Sequence, residues 1–429
     1  MDWFGAAAVV LTGTVNLWKI QTVRDILPVD ATLAAALIGM VAAGVVWFPS
    51  RWRLPAGWVV LAVGFISFLP AVAVTSFGTA YSVDKVRSLF TLSLLTAIVP
   101  MVVLTTAARR RATMAILVGL GAATSAGLLF AGTTNPNTGR VGVEDGSPIG
   151  LARLTCIAVA ILGVVAIERR GATRYLALGG LVVAAGATVT TGSRGPLASA
   201  FLAPLLALVL TRHGRGLGAS LRSFAMNRRL VLRLIFVTGA VLVALLLSLR
   251  LASRLALAHL LSLGGESSSW RLDLLRDSFT LAVHHPIGVG WGDLATHLPT
   301  AASEYTGTHL YPHNVLAEAA AEGGILAFLG LVWLLVASFR RIRSAARSTT
   351  DRALLAVWLF SVASAMTSSD LIGNRLMWMA IGAGLAYPRV VAATARLGGT
   401  DTGVPSDETG LAGDQAPTRA EQEAPHQDQ

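Results

Sequence analysis

The chain has 429 residues, 54% of them hydrophobic and 13% charged, with a mean hydropathy of +0.65 and a formal charge of +11. Soluble globular domains carry about 25% charged residues, so the composition excludes an ordinary soluble domain. Apolar runs of about 20 residues recur from end to end, which specifies an all-α, polytopic membrane protein. Most of the positive charge falls in short loops between those runs, which is a topology signal and not a nucleic-acid footprint. The single cysteine, Cys156, excludes an intramolecular disulfide framework and a cysteine-based metal cluster.

Taken in order, the apolar runs predict spans near 4–18, 31–48, 57–76, 88–107, 113–131, 150–167, 175–190, 197–211, 232–249, 314–338, 353–369 and 376–392, about twelve in all. The first, seventh and eighth are shorter than the usual ~20 residues. The chain opens Met1, Asp2, Trp3, with no basic stretch before the first apolar run, so that segment reads as retained and not as a cleaved leader.

Every second loop is basic: Arg51 and Arg53; Arg109 to Arg111; Arg169, Arg170 and Arg174; Arg212, Arg215, Arg222, Arg228 and Arg229; then Arg340, Arg341, Arg343, Arg347 and Arg352. Short cytoplasmic loops are enriched in arginine and lysine. These loops are therefore expected inside a bacterial cytoplasmic membrane, with both termini. Loops 19–30, 77–87, 132–149, 191–196, 250–312 and 370–375 are expected outside.

The chain thus divides into membrane helices over 1–250, an extracytoplasmic loop over 251–312, further membrane helices over 313–392 and a tail over 393–429. The tail is polar and acidic, with too little apolar surface to fold, and is expected to be disordered and cytoplasmic.

The long outward loop collects His259, His284, His285, His297 and His309, with His313 at its end. Titratable groups beside a membrane are where chemistry is expected. Within the loop, 270–283 has helical periodicity, Ser267 to Ser269 offer N-caps, and His285, Pro286 and glycines 288, 290 and 292 predict a tight turn. Tyr311, Pro312, His313 and Asn314 then stand where the chain re-enters the membrane.

Arg140, Arg194, Arg250, Arg254, Arg271, Arg276 and Arg375 all fall on the outer side, against the usual charge bias. Guanidinium groups interleaved with histidines suit bidentate binding of phosphate or diphosphate. Arg194 is the sharpest case, because the TGSRGP turn is too short to hold it far from the membrane. The ordinary reading of an outward arginine is contact with lipid phosphate, and it suffices for Arg250 and Arg254. His284, His297 and His309 read as solvated or structural. Glu322 reads either as a satisfied polar group inside its span, supporting the local fold or His313, or as a functional residue, since an ionisable group about two turns below His313 is costly in a membrane. No HExxH, Walker A, GxSxG or dinucleotide fingerprint is present. His284, His285, Asp293 and His313 match no common metal-ligand spacing.

Three stretches together resemble the O-antigen ligase and polymerase superfamily of bacterial enzymes acting on lipid-linked glycans. They are TGSRGPLAS at 191–199, SSWRLDLLRDSFTLAVHHPIGVGWGDL at 268–294 and PHNVLAEAAAEGGILAFLGL at 312–331. The shared features are an arginine at the outer end of one span, an arginine heading a helix that leads to a His-Pro-x-Gly-x-Gly turn, and His-Asn followed by Glu-x-Gly in the next span.

The resemblance implies a glycosyltransferase using an undecaprenyl-pyrophosphate-linked glycan and a lipid or glycan acceptor, with no cofactor, metal or nucleic acid. It implies Arg194, Arg271 and His313 as catalytic residues. Arg276, His285, Asn314 and Glu322 are the candidate substrate-binding residues around them. In chemical terms the arginines stabilise the leaving diphosphate, while His313, titrating near neutrality, accepts or orients the acceptor proton. A ligase and a repeat-unit polymerase share this donor chemistry. A transporter or flippase of lipid-linked glycans, binding without reaction, and a structural scaffold are the readings from other classes.

Overall fold

The computed structural model describes residues 1–17, 30–48, 55, 57–135, 140–143, 146–212, 266–298 and 310–388. The expected ninth span, the first part of the long outward loop with Arg250, Arg254 and His259, His309, and the C-terminal tail lie outside them.

The described chain is helical almost throughout, because runs this apolar satisfy their backbone polar groups internally. It begins with α1 (Asp2–Thr14), α2 (Ala31–Trp47) and a broken pair, α3 (Trp58–Ile66) and α4 (Leu69–Val74). Next come α5 (Ala80–Val103), α6 (Ala107–Phe130), a two-stranded ribbon (Thr133–Thr134 against Val141–Gly142), α7 (Pro148–Glu168), α8 (Ala172–Thr190) and α9 (Arg194–Arg212). After the undescribed stretch come α10 (Glu266–His284), α11 (Leu294–His297), α12 (Val315–Ala345), α13 (Thr349–Ala365) and α14 (Arg375–Leu385).

Among the described residues, six helices are long and apolar enough to cross a membrane: α5, α6, α7, α8, α9 and α12. The chain is a multi-pass, α-helical membrane protein.

Helix α7 is apolar on every side, and such a helix belongs in the middle of a bundle. It is buried from Gly150 to Ile167 with few interruptions and packs against α6, α8, α9 and α13. A second group forms where α14 packs against α5, α12 and α13, with α1 between α2, α5 and α6. At one end of the bundle Asp351 accepts from Arg110 Nε (2.9 Å) and Tyr387 Oη (2.6 Å), while Arg352 pairs with Glu168.

Several expected boundaries move, each for a local reason. Helix α5 starts at Ala80 and not near 88, because Thr79 and Ser82 form a capping box that nucleates it. Lys85 and Arg87, expected in an outward loop, therefore lie on the helix, which turns π-helical over Leu89–Ser93. Arg194 heads α9 instead of sitting in the turn before it. Helix α12 runs on to Ala345 and takes in Arg340, Arg341 and Arg343. Ser267 to Ser269, expected to cap α10, lie within it.

Helix α12 is not continuous. Gly324 has φ +73° and ψ −174°, a conformation open essentially only to glycine, and splits the helix about three turns from its start. A break inside an apolar bundle needs other partners for its backbone groups. The turn after α10 supplies them: Ile325 N donates to Pro286 O (2.9 Å), Val289 N to Ala321 O (3.0 Å) and Gly290 N to Glu322 O (3.1 Å). The two backbones are so close that a Cβ on Gly324 would collide with Ile287, and one on Gly288 with the Glu322 carbonyl. Gly324→Ala should therefore cost about 2–3 kcal/mol or more, from strain and from separation of these segments. Thermal unfolding in detergent reads the loss, and an unchanged midpoint would contradict this docking.

The turn is anchored further in. Trp291 is fully buried, its indole N–H donates to Phe68 O (3.1 Å) and its ring stacks edge-on against Phe68 at 5.8 Å. Trp291 N donates to Thr75 Oγ1 (3.0 Å), and the Asp293 carboxylate accepts from Ser76 N (2.6 Å) and Ser76 Oγ (2.9 Å). Helix α10 lies on α12 through a small core of Leu274, Leu294, Leu298, Leu310 and Ala321. The α10–α11 segment is thus fastened to the membrane bundle.

Candidate active site

A cavity of about 170 Å³ opens where α9, α10 and the corner after α13 meet. Its walls carry Arg140 just before the ribbon's second strand, Ser193, Arg194 and Gly195 from the start of α9, Arg271 from the first part of α10, and Thr367 and Ser368 from the corner. Three guanidinium groups facing one space repel one another. That repulsion shows at Arg140, whose pKa is lowered first by burial and then by Arg271 and Arg194. An arrangement of like charges around a concave space is stabilised by an anion bound between them.

The corner that carries Thr367 and Ser368 is positioned from below. Arg153, buried in α7, donates from Nε to Ser364 Oγ (3.0 Å) and from its terminal nitrogen to Ser364 O (3.3 Å) and Ser368 O (2.8 Å). Asn374 Nδ2 adds a bond to Ser368 O (3.2 Å). Asp370 accepts from Tyr81 Oη (3.0 Å) and Gly373 N (2.9 Å).

His313 stands just before α12 with φ +54°, an uncommon backbone conformation for a residue with a side chain. It is half-buried, between the Tyr311 ring at 4.6 Å and the Trp270 ring at 6.2 Å. Its Nδ1 is buried without a hydrogen-bond partner among the described residues. The expectation that it titrates near neutrality is corrected: burial first, then Arg271, push its pKa down to about 4, against a smaller opposing effect of Asp370. The imidazole is therefore neutral at pH 7.

The other expected site residues separate. Asn314 caps α12, accepting from Leu316 N (3.0 Å) and Ala317 N (3.1 Å), and its amide donates to Met366 O (3.2 Å), tying His313's neighbour to the cavity corner. Glu322 is fully buried away from the cavity. Arg276 and His285 are exposed and absent from the cavity wall, His285 lying instead 6.0 Å from the His297 ring.

Below the cavity lies a cluster that loop and motif reading missed. Lys85 on α5 is fully buried, with Nζ 2.6 Å from Glu318 Oε1 and 2.6 Å from Glu322 Oε2 on α12. The same carboxylates accept backbone donors, Glu318 from Leu371 N (2.8 Å) and Glu322 from Gly292 N (2.7 Å). One ammonium thereby joins α5 and α12 to the corner after α13 and the turn after α10. The signal was present: Glu318 and Glu322 are four residues apart on an apolar helix, hence on one face, and need a cation. Among the described residues, no three His, Cys, Asp or Glu side chains gather as metal ligands.

Comparison with known proteins adds one positive finding. Residues 179–332 match the family model described as O-antigen ligase. No curated protein and no solved structure matches the chain. The matched stretch includes Arg194, Arg271, the Pro286–Gly292 turn, His313 and the Glu318–Gly324 segment, whereas Arg140, Thr367 and Ser368 of the cavity and its supports Lys85 and Arg153 lie outside it. The stretch 179–332 is thus similar to an O-antigen ligase domain, which supports the O-antigen ligase superfamily for this part of the chain.

Proposed function

We propose that the protein is a glycosyltransferase that moves a glycan from undecaprenyl pyrophosphate to an acceptor hydroxyl, on the outer face of the bacterial cytoplasmic membrane, within a fold of about twelve spans. The observation that carries this reading is the convergence of Arg140, Arg194 and Arg271 on one cavity, with His313 within reach of the Arg271 charge. The acceptor oxygen attacks the anomeric carbon of the donor sugar, and the bond from that carbon to the diphosphate breaks. The bond's electron pair leaves on the diphosphate oxygen, where the guanidinium groups receive the developing charge. The acceptor proton passes to His313. Charge stabilisation comes from the arginines, and the step as written requires no metal.

Electrostatics support this order of events. Before the donor binds, Arg271 and burial keep His313 neutral and able to accept a proton. A diphosphate between the arginines offsets their effect on the imidazole and raises its basicity when transfer occurs. Asn314, Lys85 and Glu322 are positioning residues in this reading, holding His313 and the two loops in register. A ligase and a polymerase differ only in the acceptor. The break at Gly324 is the feature a transporter reading would use, but loop backbone already occupies it.

The test is a surface-glycan and lipid-linked-intermediate profile from a deletion strain carrying wild-type protein or His313→Ala. The variant is expected to transfer about 10²- to 10⁴-fold more slowly, with donor accumulating: full-length unattached chains for a ligase, single repeat units for a polymerase. Because His313 works as the neutral imidazole, kcat/KM should hold as pH falls and decline only towards the free-site pKa of about 4. Equal glycan from both proteins would remove His313 from the reaction and favour transport.

A further inference from the structure

The face of α12 turned away from the bundle changes character along its length. Ile325, Leu326, Leu329, Trp333 and Val336 are all exposed and recur at helical spacing, so they form one apolar stripe. The stripe ends at Arg340, which is also exposed and has no carboxylate partner among the described residues.

Here a cavity of about 310 Å³ lies between α3 and α12. Val60, Trp333, Val336 and Ala337 form its apolar wall, and Arg340, Arg341 and Ser344 close its far end. Arg341 is nine-tenths buried, held by its terminal nitrogen near the carbonyls of Leu385 (3.5 Å) and Tyr387 (3.4 Å). Its charge is therefore fixed at the cavity end. From the break at Gly324 to Ala345 the helix runs roughly 30 Å, about the thickness of the hydrocarbon core, so this end and the His313 end lie towards opposite membrane faces.

We propose that this cavity binds the headgroup of an anionic phospholipid in the leaflet remote from His313, with an acyl chain along the exposed stripe. Three features favour a lipid over a free anion. The cationic end is continuous with an apolar wall, the wall is continuous with a stripe facing the bilayer, and Trp333 sits about two turns from the arginines, where an indole marks the membrane interface. Arg340 supplies a mobile contact to the phosphate, Arg341 a fixed one, and the Ser344 hydroxyl lies on the same wall. Basic recesses between membrane helices are suited to such headgroups.

The experiment uses the full-length protein in neutral detergent, titrated with phosphatidylglycerol, with phosphatidylcholine of the same acyl chains, or with inorganic phosphate. Retained lipid is read by native mass spectrometry. The wild type and Arg111→Gln, which removes an exposed arginine on α6, should retain phosphatidylglycerol over phosphatidylcholine. Arg340→Gln should lower that preference about fivefold, Arg340→Lys should keep part of it, and Trp333→Ala should weaken retention of both lipids. Equal retention of the two lipids by the wild type, or an undiminished preference in Arg340→Gln, would overturn the proposal. Displacement of the lipid by inorganic phosphate at comparable concentration would also overturn it, by assigning the cavity to a soluble anion. Because the site is far from His313, none of these outcomes depends on the glycosyl-transfer reading.

Discussion

Arg194→Ala and Arg271→Ala are each expected to slow glycan transfer about a hundred- to a thousandfold, corresponding to ~3 to 4 kcal/mol lost from the transition state. The arginines line one cavity from two helices, and in the proposed reaction the negative charge of the departing diphosphate grows between them. Ground-state binding changes less, since the donor's lipid and sugar contacts remain. The loss should therefore fall mainly on kcat. Lysine is a poor substitute, because it lacks the planar fork that grips two phosphate oxygens. Arg271→Lys should accordingly recover only a small part of the rate, while Arg271→Ala also releases His313 from one of the charges that depress its basicity. The pH at which kcat/KM declines would then move upward from the wild-type position. Single-turnover assays with purified protein and lipid-linked donor measure both effects. Transfer at the wild-type rate by either alanine variant would end the assignment.

Lys85→Met should prevent the protein from accumulating in folded form. The ammonium sits within 2.6 Å of two carboxylates, and all three side chains are fully buried. Removing one partner of a buried ion pair costs about 3–5 kcal/mol, because it leaves charge uncompensated in a low-dielectric interior. Here two carboxylates are left at once, against a total stability of only about 5–15 kcal/mol for a typical protein.

The triple change Lys85→Met, Glu318→Gln, Glu322→Gln is expected to restore folding, since the glutamine carbonyls can still accept from Leu371 N and Gly292 N. Yield and thermal midpoint in detergent distinguish the outcomes. If the single variant were as stable as wild type, the triad would not be holding these segments together. If the triple variant folds but transfers slowly, the charge has a further role in setting the potential below the cavity.

The sequence by itself determined the class of fold, because a chain this apolar has few solutions other than helices across a membrane. It also set Arg194 and Arg271 among arginines placed against a topology bias and His313 where the chain re-enters an apolar run, while the resemblance to the O-antigen ligase and polymerase superfamily is what singled these three out. The same reasoning failed where a charge is neutralised by a residue far away in sequence. Lys85 read as loop because its partners lie more than 230 positions downstream, and Arg153 passed as part of an apolar run although its guanidinium holds the corner after α13. Glu322 was grouped with the substrate-binding residues beside a second reading as a satisfied polar group supporting the local fold, and the second is what its bonds to Lys85 and Gly292 N match. Asn314 was grouped with the binding residues, and its side chain caps a helix.

Only the tertiary structure decided which outward arginines share a cavity and which, like Arg276, face elsewhere. That choice depends on the rotation of α10 on α12, and side-chain packing sets it through Leu274, Leu294 and Ala321. The break at Gly324 was likewise invisible as a glycine among many. Its meaning comes from the Pro286–Gly292 turn that fills it, a backbone contact between segments that hydropathy treats separately.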